Sequence, residues 1–259
     1  MRYHIDTIPV WDAMKLDGEC FLCALNRRTE LGEVEHYLGA SVMEPDTRIQ
    51  VNKKGFCCNH QRMLYGMDNR LGHALMLESH VAETRERLAK ACKSIRHAAK
   101  GASGGSLMDR LTGKAPSPAK LMENAAEELE SLTHTCIVCD SIEDNMNRYL
   151  HTFFHLYQND TEFRKRFENC KGMCLNHAAM LLKLAPSELS ASALPAFAET
   201  ICTLEITAFD RMQEDISWFC RKFDYRYYDE PWKNSRDAVE RTVNKLRGWC
   251  VGTEPNPKE

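Results

Sequence analysis

Two short patterns of cysteine and histidine, each present twice, constrain this chain more than any other feature. Cys20-Phe21-Leu22-Cys23 is followed, after 33 residues, by Cys57-Cys58-Asn59-His60. Cys136-Ile137-Val138-Cys139 is followed, after 34 residues, by Cys174-Leu175-Asn176-His177. The copies are offset by 116 residues for the CxxC and 117 for the CxxH, a difference of one inserted loop residue. The match extends past the donors. Gly55, Cys57, Asn59, His60, Met63 and Leu64 coincide with Gly172, Cys174, Asn176, His177, Met180 and Leu181, and apolar Val34, Tyr37 and Leu38 align with Leu150, Phe153 and Phe154. The chain reads as an internal duplication.

Two donors separated by two residues can aim at one ion where the backbone turns into a helix. A second such pair completes a tetrahedron of three thiolates and one imidazole. Free amides and the positive dipole end at a helix start favour thiolate over thiol. The expected ligands are Cys20, Cys23, Cys57 and His60 in the first half, and Cys136, Cys139, Cys174 and His177 in the second. Cys57 is selected over Cys58 because it aligns with Cys174 and keeps two residues before the histidine. Gly18, Gly55 and Gly172 each stand two residues before a cysteine, where a tight turn is expected. Four protein ligands leave no open coordination position, which points to structural Zn²⁺ at two sites. The same donors could instead hold iron–sulfur clusters in a redox or electron-transfer protein. A thioredoxin-like CxxC would need a preceding strand and a βαβ context, and neither is seen.

Composition supports metal over disulfides. The first residues lack the apolar run of a secretory signal, and no stretch approaches the roughly 20 apolar residues of a membrane span. A cytoplasmic location is expected, and there 12 cysteines are not a disulfide framework. A net charge of -3 gives no basic field for nucleic acid, and Arg164-Lys165-Arg166 is balanced by Glu162 and Glu168. His151 and His155, spaced i, i+4, enclose no glutamate that could act as a metalloprotease base, so they read as an ordinary exposed or partly packed pair, as do His73 and His80. No catalytic constellation emerges, which favours a non-enzymatic role. Cys92 and Cys202 fall on or beside apolar stripes and read as small core residues, whereas Cys170, four residues before Cys174, could be a spare ligand or a redox partner.

Apolar periodicity predicts an all-α fold of two related helical bundles, each built around one Cys₃His site. Ala74, Leu77, Val81, Thr84, Leu88, Ala91 and Ile95 form one seam, and Leu194, Phe197, Ile201, Leu204, Ala208 and Met212 a second. Ile142, Met146, Tyr149, Phe153 and Tyr157 form a third. Ser117-Pro118 predicts a helix start, with the helix running to about Thr133. The expected divisions are residues 1–97, a Gly/Ser/Pro-rich linker at 98–117, residues 118–222, and an aromatic, helical segment at 223–259. Phe223 to Trp232 is dense in aromatic residues that can dock the C-terminal region or meet another macromolecule.

The chain resembles an uncharacterised bacterial family common among anaerobes. The resemblance rests on Tyr3-His4-Ile5-Asp6-Thr7-Ile8-Pro9-Val10-Trp11, the two CxxC and two GxCxxH motifs, and Asp224-Tyr225-Arg226 through Asp229-Glu230-Pro231-Trp232. It implies no activity. The functional expectation is a metal-organised binding or scaffold module whose partner is another protein. Native mass spectrometry should count two metal equivalents per chain, and one equivalent in fully loaded protein would break the equivalence of the motifs.

Overall fold

A computed structural model describes residues 4–104 and 118–252. Among them the regular structure is all helical: α1 (His4–Lys15), α2 (Phe21–Leu38), α3 (Pro45–Lys54), α4 (Cys58–Gly66), α5 (Arg70–Gly104), α6 (Pro118–Thr133), α7 (Ile137–Asn159), α8 (Thr161–Glu168), α9 (Leu175–Glu188), α10 (Leu194–Arg221) and α11 (Ala238–Arg247). Short 3₁₀ turns occupy Ala40–Met43 and Tyr225–Tyr227.

Local sequence explains several boundaries. In α3, Pro45 opens the helix, Asp46 faces its positive end and Lys53 and Lys54 its negative end. The helix stops at Gly55, whose φ of 63° suits glycine. At α8 the Asp160 carboxylate accepts from the amides of Glu162 (3.0 Å) and Phe163 (3.1 Å), an N-cap.

The chain forms two compact units. The continuous unit is residues 30–142, and the discontinuous unit joins 1–29 to 143–259. The boundaries fall inside α2 and α7. This division differs from the expected one at 98–117, because α5 and α6, on either side of that stretch, pack against each other. Helix α5 also runs on to Gly104, past the predicted linker start at 98, while 105–117 lie outside the described residues.

The discontinuous unit is centred on aromatic rings. Phe153 is fully buried, with ring centroids 4.9 Å from Phe167, 5.2 Å from Phe154, 5.7 Å from Phe163 and 5.8 Å from Phe21. Most of these pairs meet edge to face, the arrangement ring quadrupoles favour. The α7 stripe expected through Met146, Phe153 and Tyr157 is buried, as is the α10 stripe through Phe197, Ile201, Leu204, Ala208 and Met212. Arg166 on α8 donates to the carbonyls of Met14 and Lys15 at 2.9 Å each, fixing the end of α1.

The continuous unit packs Val34, Tyr37, Leu38, Val51, Leu64, Met76, Ile137 and Val138 into one core. Helix α5 lies against α3 and α6. Its buried positions include Gly72, His73, Met76 and Ala91, whereas Val81 and Leu88 are exposed. The expected α5 seam is thus kept at Ala91 but not at Val81 and Leu88, and nearer the start of the helix His73 bonds to Gln61 on α4 and His80 to the Asn52 carbonyl on α3.

Phe153→Ala removes the ring that most others touch. It should cost about 3–5 kcal/mol in denaturant unfolding, and a loss below about 1 kcal/mol would contradict this account of the core.

Candidate metal centres

The eight predicted donors form two groups, each with all donor atoms within 4.8 Å of one another. Cys20, Cys23, Cys174 and His177 make one, inside the discontinuous unit, and Cys57, His60, Cys136 and Cys139 make the other, inside the continuous unit. The pairing read from spacing is thus corrected. Each CxxC meets the CxxH of the other motif copy, not its own. The physical reason lies in the helices the CxxC motifs open. The 18 residues of α2 and 23 of α7 carry the chain about 27 and 34 Å from their own CxxC.

Each group is built from two helix starts. Cys57 and Cys174 are the N-caps of α4 and α9, and His60 and His177 sit in the first turns. Cys20 and Cys136 immediately precede α2 and α7, placing Cys23 and Cys139 in the first turns. Their carbonyls already accept helical bonds, Cys20 from Ala24 at 3.3 Å and Cys136 from Asp140 at 3.1 Å. The positive ends of two helices thus converge on three sulfurs and one imidazole.

Edge lengths are uniform. In the discontinuous unit, His177 Nδ1 lies 3.4, 3.4 and 3.2 Å from the sulfurs of Cys20, Cys23 and Cys174, and Cys23 and Cys174 sulfurs are 3.6 Å apart. In the continuous unit, His60 Nδ1 lies 3.2, 3.2 and 3.5 Å from Cys57, Cys136 and Cys139, and the Cys57 and Cys139 sulfurs are 3.8 Å apart. Four donors so placed can hold a metal ion.

The protonation pattern is that of a crowded thiolate set. Burial lowers the pKa of His60, but the Cys136 thiolate and Glu30 outweigh it and raise the imidazole to about 10. His177, also opposed by burial, is raised to about 9 by Cys174 and Cys23. Burial would raise Cys136, yet His60 and neighbouring amides bring it down to about 6. Burial and the Cys136 sulfur push Cys139 upward. Cys174 is held far below the thiol range by the Cys20 and Cys23 sulfurs, while burial raises Cys20.

Surrounding residues complete the sites. The other nitrogen of His60, Nε2, donates to Glu30 at 3.2 Å, and Glu30 also accepts from Asn59 at 3.4 Å. The Ile137 amide donates to the Gly55 carbonyl at 3.1 Å, joining the two motif backbones of the continuous unit. Gly172 has φ of 81°, and a Cβ there would lie 2.9 Å from Lys245 Nζ and 3.0 Å from Glu205. Glu205 accepts from the Met173 amide at 2.7 Å. The turn expected at glycine holds for Gly55 and Gly172, but Gly18 has no positive φ. Glu30, Glu205 and Lys245 carried no signal in the sequence. The matched asparagines, Asn59 and Asn176, were the available hint of an outer shell.

The remaining candidates fall elsewhere. Cys58 is exposed and outside the group that contains Cys57. Cys202 is also exposed, which corrects its reading as a core residue, because it points off the α10 stripe. Half-buried Cys170 lies outside both groups. His151 Nδ1 pairs with Glu188 at 2.9 Å, His155 with Asn159, and His73 Nε2 with Gln61 at 2.8 Å. Trp232 docks against Phe219 and Phe223, and Trp218 donates to the Pro231 carbonyl at 2.9 Å, while Phe223, Tyr225 and Tyr228 remain exposed.

Fold and sites together define an all-α protein with two Cys₃His groups able to hold metal, and no described helix is long and apolar enough to cross a membrane. The chain belongs to a family of unknown function, DUF6062, whose model matches residues 1–253. No curated protein and no solved structure matches it.

The exchanged pairing has a direct test by metal counting. The double variant Cys23→Ala/Cys174→Ala should lose one equivalent, because both residues serve one group. Cys23→Ala/Cys57→Ala should lose both. The reverse result would restore the sequential pairing.

Proposed function

We propose that each group binds one Zn²⁺ and that the protein is a metal-organised helical module that engages another protein. The carrying observation is the edge length. A tetrahedron with Zn–S of about 2.3 Å and Zn–N of about 2.0–2.1 Å has S···S edges of about 3.8 Å and S···N edges of about 3.5 Å. The observed separations of 3.2–3.8 Å lie close to these values. An iron–sulfur cluster spreads its cysteines over several irons and needs a wider cradle. The donor set is complete without water, which suits a structural ion. The bond from His60 Nε2 to Glu30 supports the same reading, since a ligating imidazole commonly gives its second N–H to a carboxylate.

A bound ion would fix the angle at which two helix starts meet and leave outer faces free for recognition. Exposed Phe223, Tyr225 and Tyr228, held on a segment that Trp218 and Trp232 anchor, support a protein partner. Elemental analysis of anaerobically purified protein should give zinc and no visible charge-transfer bands. Iron with inorganic sulfide would overturn the assignment.

Metal binding must expel the imidazole protons, held to about pH 10 at His60 and about 9 at His177. Apparent affinity should therefore fall with acidification, by about one order of magnitude per pH unit for each proton displaced. Zinc competition between pH 8 and 5 checks the slope, and a flat profile would contradict imidazole ligation.

A further inference from the structure

The two groups differ in what covers them. In the discontinuous unit Cys20, Cys23, Cys174 and His177 are all buried, with Cys174 at 0% exposure. In the continuous unit Cys139 is exposed and Cys57 half-buried. The closed group has a third chain segment against it, beyond the two that supply its donors.

That segment is α11 and the turn after it. The Trp249 amide donates to the Cys23 sulfur at 3.4 Å. Asn176, inside the CxxH, donates to the Arg247 carbonyl at 2.9 Å. Gly248, at φ 86°, lies so close that a Cβ on it would sit 3.8 Å from the Cys174 sulfur. Lys245, 1% exposed, donates to the Glu19 carbonyl at 3.1 Å and the Lys171 carbonyl at 2.6 Å. Those carbonyls belong to the lead-ins of Cys20 and Cys174, so one ammonium ties together both halves of the donor set. An ammonium can be buried here because of these bonds, and withdrawing it would break the tie between the two lead-ins. Asn244 stiffens the turn by accepting from the amides of Cys250 and Val251 at 2.9 and 3.1 Å.

We propose that the segment from Lys245 to Trp249 is a latch that makes the metal of the discontinuous unit slow to exchange, while the metal of the continuous unit exchanges freely through Cys139. The inference rests on both groups binding zinc. A chelator must displace thiolates one at a time. At the closed group each displaced sulfur stays caged by the latch and rebinds, whereas at the open group exposed Cys139 can be carried off into solvent. Lys245, Asn176 and Trp249 are positioning residues in this scheme and none is a ligand.

Native mass spectrometry of zinc-loaded full chain comes first, and a count other than two refutes the metal reading itself. With two equivalents present, excess 4-(2-pyridylazo)resorcinol should draw out zinc in two phases of one equivalent each, the slow one at least about tenfold slower, the scale expected of outer-shell partners. Cys139→Ser should abolish the fast phase. Trp249→Pro removes the amide donor and should speed the slow phase about tenfold or more, whereas Trp249→Phe keeps it and should restore the slow rate. Asn176→Ala cuts the tie to Arg247 from the other side and should speed the slow phase as well, which keeps the test open if the proline variant does not fold. One phase carrying both equivalents, or a slow phase unmoved in Asn176→Ala and in folded Trp249→Pro, overturns the latch.

Discussion

Two helix starts cannot be pressed together without something to take up their charge. Each presents unpaired amides and the positive end of a macrodipole. In this protein sulfur takes it up: the Cys174 thiol, where α2 meets α9, and the Cys136 thiol, where α4 meets α7, are both held below the usual thiol range. The attraction runs both ways. The helix ends stabilise thiolate, and thiolate makes the junction tolerable. The rest of each unit hangs on this contact, because the direction in which every following helix leaves is set at its first turn.

The polar surroundings of the discontinuous group extend the same logic outward. Glu19, just before Cys20, takes both oxygens' worth of bonds from Arg211, at 2.8 and 2.5 Å, and a further one from Arg241 at 3.4 Å. Arg241 also reaches Asp215 at 2.9 Å. Burial would raise the carboxyl, but Arg211, Lys245 and Arg241 outweigh it and hold Glu19 ionised. Such interior charges persist only in pairs. Here they clamp the lead-in of the first CxxC to α10 and α11, so that precise placement is carried by charge where the aromatic core nearby supplies cohesion.

Much of the site was legible in the sequence because a donor pair at i, i+3 has one obvious geometry at a helix start. All eight donors, the choice of Cys57 over Cys58 as the one placed in a group, and the turns at Gly55 and Gly172 follow local rules. The partnering does not. Spacing records how far apart two motifs lie along the chain but not which way the intervening helix travels, and α2 and α7 both lead away. Two apolar stripes, on α7 and α10, were read in register because large rings bury deeply there. The α5 stripe holds at Ala91, which is buried, but fails nearer the start of the helix, where His73 and Met76 are buried while Val81 and Leu88 face solvent. Lys245 and Glu30 are invisible for a related reason, since a lone charge gains meaning only from the groups that folding brings to it, two carbonyls for Lys245 and the His60 and Asn59 side chains for Glu30.

The exchanged pairing also imposes an order in time. A chain made from its N-terminus at roughly 5–20 residues per second presents Cys20 and Cys23 long before their partners. Cys174 lies 151 residues beyond Cys23. Through that interval the CxxH within reach is Cys57 to His60, which belongs to the other group and whose own CxxC has yet to emerge. The nascent protein therefore passes through a stage at which the nearest complete set of four donors is the wrong one. The correct sets require that any early capture be undone.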